Sequence, residues 1–150
     1  MPPFIGEEKF NSDIMVYLTR VEHFNAAHKL FNPAWDYEKN EQVFGKCANE
    51  NWHGHNFELF VTIKGEPDPD TGFIFDAKKL GALVNEMVVD KLDHRNLNLD
   101  VDFMKGKLSS IENLVMGIWK ELEPHLPPVQ LHCLKLVETD KIYVEYYGGK

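Results

Sequence analysis

A chain of 150 residues, 43% hydrophobic and 27% charged, has the composition of an ordinary soluble protein and is long enough for one core without disulfides or a structural metal. Its formal charge of -8 argues against nonspecific nucleic-acid binding, which needs a basic footprint to displace counterions from phosphates. No segment approaches the roughly 20 apolar residues of a membrane span, and Met1 to Glu8 carries no basic or long apolar leader, so a cytoplasmic protein with Cys47 and Cys133 as free thiols is expected.

Residues from about Ile14 to Ala27 are rich in β-formers and read as a first strand. Phe31 to Gly45 reads as a long loop, and long loops in compact domains are often functional. A second strand runs on from His55 through Phe57 to Ile63, ended by the turn-forming run Gly65 to Gly72. From Asp76 the period becomes helical, with Leu80, Leu83, Val84, Met87, Val88 and Leu92 on one stripe. A second amphipathic helix carries Leu114, Val115, Ile118, Trp119 and Leu122. Ser109 and Glu112 are spaced as a capping box at its start, and Pro127-Pro128 prevents its continuation. Strands over Leu131 to Glu138 and Ile142 to Tyr147, joined by Thr139-Asp140-Lys141, complete the order ββααββ.

The segment from Cys47 to His55 is the most informative. Residues two apart on a strand project from one face, so His53 and His55 can hold one ion between them. A catalytic zinc usually takes three protein ligands and leaves a fourth position open, and His28 at the end of the first strand is the best third ligand. A His-x-His pair alone is as often two surface or hydrogen-bonded histidines; Cys47 upstream and Asp93-His94 downstream add weight to the metal reading. Lys29, Lys46, Lys91 and Arg95 lie nearby in sequence and can form a patch for a small anion, or can each be a solvated surface charge.

The residues Phe24 to His28, Gly45-Lys46-Cys47, His53-Gly54-His55-Asn56, Leu92 to Asn98, Glu112-Asn113 and Val137-Glu138-Thr139 together resemble the signatures of 6-pyruvoyl-tetrahydropterin synthases. The resemblance runs over nearly the whole chain, which reads as one domain over 1–150, with residues 1–12 as an N-terminal extension outside the match. It implies an α+β T-fold (tunnelling fold): a four-stranded antiparallel sheet with two helices on one face, assembled as a homohexamer of two trimers with active sites at subunit interfaces. It implies Zn2+ on His28, His53 and His55, Cys47 as general base, Asp93 and His94 as the rest of a proton relay, and Glu138 as pterin anchor. Glu112 and Thr139 fall in the implied substrate pocket.

These roles make chemical sense beside the simpler readings. Three neutral imidazoles leave zinc with open positions for two vicinal hydroxyls of a substrate side chain. A thiol near the metal with Lys46 beside it can be held as thiolate, and Asp93 can orient the His94 ring. Asp93-His94 can also be a helix C-terminal cap, Glu112 can serve only its capping box, Glu138 can be a solvated carboxylate, and Cys133 reads as a small residue packed in a strand. A carboxylate that accepts two parallel N–H bonds nevertheless suits a 2-amino-4-oxopyrimidine edge.

The implied activity is a zinc-dependent lyase that converts 7,8-dihydroneopterin triphosphate to 6-pyruvoyl-tetrahydropterin and triphosphate. The alternative is a 6-carboxytetrahydropterin synthase of queuosine biosynthesis, acting on the same substrate and releasing acetaldehyde. Five residues between Cys47 and His53, and the segment Ser109 to Asn113, favour the pyruvoyl branch. Ile111 departs from both patterns, putting an apolar side chain where a hydroxyl is usual. Cys47 disfavours a third branch with glutamate at that position. From a different class, a zinc- or pterin-binding module without catalysis should have lost Cys47, Asp93 or His94, and all are present.

Overall fold

A computed structural model describes residues 14–150. The extension expected over residues 1–12 lies outside the described residues. Strand β1 (Val16–His28) pairs antiparallel with β2 (His53–Gly65) along its whole length, from Val16 opposite Gly65 to His28 opposite His53. Strand β4 (Gln130–Thr139) pairs with β2, and β5 (Ile142–Tyr146) pairs with β4. The period of two puts Phe24, Ala26 and His28 of β1 on the buried face with Phe57, Leu59, Val61 and Ile63 of β2.

The sheet has five strands, one more than expected, in the order β3 (Arg95–Asn96), β1, β2, β4, β5. The additional strand β3 is only Arg95–Asn96, parallel to β1 at Ala26 and Ala27. Two residues are too few to show an alternating pattern, so the sequence signals only the four long strands.

Two helical stretches cover the buried face. The first is α2 (Ala77–Val84), capped by the Asp76 carboxylate and continued by a wide π-helical turn at Asn85–Val89 and the last turn α3 (Asp90–Leu92). The second is α4 (Ile111–Leu122). Leu80, Val84, Val88 and Leu92 from one stretch, and Leu114, Ile118 and Leu122 from the other, are fully buried in one core with Leu59, Val61, Leu134 and Leu136 of the sheet. Each such side chain contributes about 1.5–3 kcal/mol of burial, which makes this layer the main source of stability.

Two local expectations are corrected. The stretch read as a loop over Phe31 to Gly45 contains helix α1 (Tyr37–Phe44). Asp36 caps it by accepting the Lys39 N–H at 2.8 Å, and the fully buried Asn40 side chain bonds both the N–H and the carbonyl of Asn32. This helix is held by a cap and a buried amide rather than an apolar stripe, so its hydrophobic period is silent. At α4 the cap is Ser110, which accepts the Asn113 N–H; the Ser109–Glu112 capping box does not form because Ser109 turns inward. Ile111 is buried in the core at the first helical position.

Among the described residues no helix is long and apolar enough to cross a membrane. Both cysteines are free.

Candidate metal centre and active site

The antiparallel register of β1 and β2 makes the centre. His28 and His53 are directly paired across the strands, and His55 lies two residues along β2 on the same face, opposite Ala26. The ring centroids are 4.5 Å apart for His28 and His53, 5.2 Å for His28 and His55, and 5.0 Å for His53 and His55. One donor atom from each ring lies within 4.8 Å of the others, so these three residues can hold a metal ion. Phe57 forms the floor, its ring centroid 6.4 Å from His28 and 5.6 Å from His55.

Whether imidazoles or a metal satisfies this pocket is decided by its hydrogen bonds. His28 Nδ1 lies 2.7 Å from the Ser109 carbonyl, which can only accept, so Nδ1 carries the hydrogen and Nε2 keeps its lone pair. His28 Nε2, His53 Nδ1 and His55 Nε2 are buried without a hydrogen-bond partner among the described residues. Orphaned buried nitrogens are costly unless something binds them, and a cation shared by three of them fits. Burial, the largest cause, pushes all three imidazoles below the ordinary histidine pKa, with neighbouring histidines adding to it. Neutral imidazole is the form that ligates.

Glu138 comes from the end of β4, at the irregularity where the pairing with β5 shifts between Val137 and Thr139. A bulge re-aims side chains. Its Oε1 sits 2.9 Å from His55 Nε2, an ionic-contact distance without the alignment of a hydrogen bond, so the nitrogen remains unpartnered. Desolvation raises the Glu138 pKa; His28 opposes this and the Glu112 carboxylate adds to it. Glu112, exposed on the first turn of α4, is therefore within electrostatic reach of the pocket. Thr139 acts locally, its hydroxyl accepting the Lys141 N–H and closing the β4–β5 turn.

Cys47 and the Asp93-His94 pair lie outside the three-histidine group. Cys47 is half-buried on the single turn Gly45–Ala48, whose Cys47 carbonyl accepts the Leu30 N–H at 2.8 Å, two residues beyond His28. Asp93 ends the α2–α3 stretch, and His94 follows in the left-handed region at φ 59. The two bond Asn25 on the outer edge of β1: Asp93 Oδ1 accepts its N–H at 2.8 Å, and the His94 N–H bonds its carbonyl. Asp93 Oδ2 is 2.9 Å from His94 Nδ1. The Asn25 N–H above all, and then His94, hold the Asp93 carboxyl below its ordinary pKa, against a small desolvation. The His94 side chain is 83% exposed. The pair is thus both a helix terminus and an oriented imidazole.

Residues 17–149 match the family model of 6-pyruvoyl tetrahydropterin synthase. The chain is 40% identical over 125 residues to the 6-pyruvoyl tetrahydrobiopterin synthase of Pongo abelii, covering 83% of this chain and 86% of that one. This chain belongs to the 6-pyruvoyl tetrahydropterin synthase family. The Dictyostelium discoideum protein of the same name is 41% identical over 133 residues, covering 89% and 96%. The structure of the Caenorhabditis elegans 6-pyruvoyl tetrahydropterin synthase superposes with a TM-score of 0.84 at 36% identity, covering 90% of this chain and 96% of that one. The α+β architecture is therefore the T-fold of this family, with β3 as a short fifth strand.

Proposed function

We propose that this chain is a zinc-dependent lyase that converts 7,8-dihydroneopterin triphosphate to 6-pyruvoyl-tetrahydropterin and triphosphate. The observation that carries this reading is the meeting of three unpartnered imidazole nitrogens with a desolvated carboxylate 2.9 Å from one of them. The first fits a metal with open positions, and the second fits a pterin edge with two parallel N–H donors. The 40% identity to a protein named for this synthase activity supports it.

His28, His53 and His55 would hold the zinc. When bound, zinc would acidify the two side-chain hydroxyls of the substrate and the adjacent C–H bonds. Glu138 would fix the pterin ring against the histidine rings, with Glu112 and Thr139 at the same end of the pocket. Cys47 would take a side-chain proton as thiolate. Asp93 holds the hydrogen-bearing Nδ1 of His94, leaving Nε2 free to exchange protons. The proton shifts would reduce the ring at the expense of the side chain while triphosphate leaves, so no nicotinamide is required.

The assembly in this reading is a homohexamer of two trimers. Strand β1 has no partner strand on its outer side before Ala26, and β5 has none on its far side, among the described residues. Val16, Tyr17, Ile142 and Tyr143 on these edge strands are large hydrophobic residues left exposed. Pairing the edges of successive copies would cover them and bring the exposed Asp93-His94 pair to the neighbouring copy.

The test is anaerobic incubation of zinc-loaded protein with dihydroneopterin triphosphate, with the product identified by mass spectrometry. The 6-pyruvoyl product is expected. A 6-carboxy product with acetaldehyde would reassign the chain to the queuosine route, and no turnover would leave a zinc- or pterin-binding module.

A further inference from the structure

The segment that follows the Asp93-His94 pair continues along β1 and ends on the residue next to His28. After Asn25, the Leu97 N–H bonds the Ala27 carbonyl at 2.8 Å, and the Asn98 side chain then takes the peptide groups of Lys29. Asn98 Oδ1 accepts the Lys29 N–H at 3.1 Å, and Asn98 Nδ2 donates to the Lys29 carbonyl at 3.1 Å. This pairing fixes which way the amide points, because the reverse orientation would oppose two donors and two acceptors. The Ser109 hydroxyl, buried with its residue at 1% exposure, lies 2.9 Å from Asn98 Oδ1 and 3.0 Å from the Lys29 carbonyl, both acceptors for its one hydrogen. The carbonyl of the same Ser109 accepts the His28 Nδ1–H at 2.7 Å.

The exposed Asn98 and the buried Ser109 therefore form a clamp behind His28. We propose that Asn98 and Ser109 are positioning residues for His28, which hold the Ser109 carbonyl where it fixes the ring with Nε2 turned toward His53 and His55. The inference rests on the metal-site reading above. A ligand histidine whose second nitrogen is held by a carbonyl keeps one tautomer and one ring orientation, and loss of such support typically weakens metal affinity by about 10–100-fold. The Ser109 carbonyl survives any side-chain replacement, so its placement is what the hydroxyl and Asn98 control. The clamp reaches β2 as well: the Lys29 ammonium lies 4.5 Å from the ring centroid of Trp52, the residue before His53.

The test uses the full chain of Ser109→Ala, Asn98→Ala and Ser109→Thr. Zinc affinity is measured by competition with a chromogenic chelator, and the visible absorption of the cobalt-substituted protein reports the ligand field. Asn40→Ala, which removes a fully buried amide remote from the histidines in sequence, is the control for general destabilisation. Expected are about 10–100-fold weaker zinc binding and an altered cobalt spectrum for both alanine variants, recovery in Ser109→Thr, and unchanged affinity in Asn40→Ala. Unaltered affinity and spectrum in folded alanine variants overturns the proposal. If those variants do not fold, Asn98→Asp, which keeps an acceptor but loses the donor to Lys29, must bind zinc more weakly than Ser109→Thr, or the proposal fails. Failure of the unaltered chain to bind zinc or cobalt would instead overturn the metal-site reading, and this inference with it.

Discussion

The three-histidine pocket and the Asp93-His94 edge are built in opposite ways. The pocket is made by strand register: one cross-strand pair and one alternation bring His28, His53 and His55 together on the buried face of a single chain. The edge pair is made by a helix ending, where Asp93 and the left-handed His94 bond the outer side of β1 and present an imidazole to the outside. Burial favours the neutral imidazole that can ligate a metal, and the pocket supplies it within one copy. In the proposed reading, a proton carrier left at this open edge would find its site only when another copy closes over it.

Removing a pocket ligand gives the largest effect expected from this contrast. His53→Ala protein should lose zinc on dialysis and show only background turnover, read by metal analysis and product formation. Retained stoichiometric zinc in that variant would mean that the histidines do not form the centre. Next come the two positions proposed to handle protons. Cys47→Ala and His94→Ala should each lower kcat by about 10²–10⁴-fold while zinc content and pterin affinity stay near those of the unaltered chain. A parallel loss of zinc in His94→Ala would erase the distinction between pocket and edge.

Glu138 gives a smaller effect. Exchange of its charged acceptor in Glu138→Gln should weaken binding of a product-like pterin by about 10–100-fold, since hydrogen bonds to a charged group contribute about 1.5–3 kcal/mol. Because desolvation raises the Glu138 pKa, pterin affinity in the unaltered chain should begin to fall on acidification above the ordinary carboxylate range. Titration calorimetry over pH checks both, and an affinity indifferent to pH would remove Glu138 from the anchor role.

The smallest effect concerns the metal-free protein. His28, His53 and His55 have lowered folded-state pKa values, so below about pH 6.5 the unfolded chain takes up protons that these folded imidazoles refuse. Stability should therefore fall with decreasing pH through that window, and less steeply in His28→Gln. Equal slopes in thermal melts of the two proteins would contradict the assignment.

What the sequence makes legible follows the same division. His53 and His55 stand out because a strand's period of two is visible in a His-x-His pair, and His28 closes a run of β-formers. The long strands and the two apolar helical stripes are equally visible. The cross-strand pairing of His28 with His53 is a matter of register, which no single strand carries. Helix α1 escapes notice because it depends on Asp36 and the buried Asn40. The α4 cap is misplaced by one residue because the spacing of Ser109 and Glu112 imitates a capping box, while the contacts of Ser109 with Asn98 and Lys29 are long-range. Asn98 shows no chemical signal in the run Asn96-Leu97-Asn98; its role exists only after residues distant in sequence meet. The proposed role of Glu138 is legible mainly by resemblance, and its contact with His55 depends on the irregularity at the end of β4.

The most direct measurement mixes the two halves of the contrast. Cys47→Ala and His94→Ala chains, each nearly inactive alone, are co-expressed with different tags, and the doubly tagged assemblies are assayed for triphosphate release. If the edge of one copy completes the pocket of the next, some pockets pair an intact Cys47 with an intact His94, and about a quarter of full activity returns on random mixing. If each pocket draws both residues from its own chain, mixed assemblies stay as inactive as the parents, and the shared-site account is wrong.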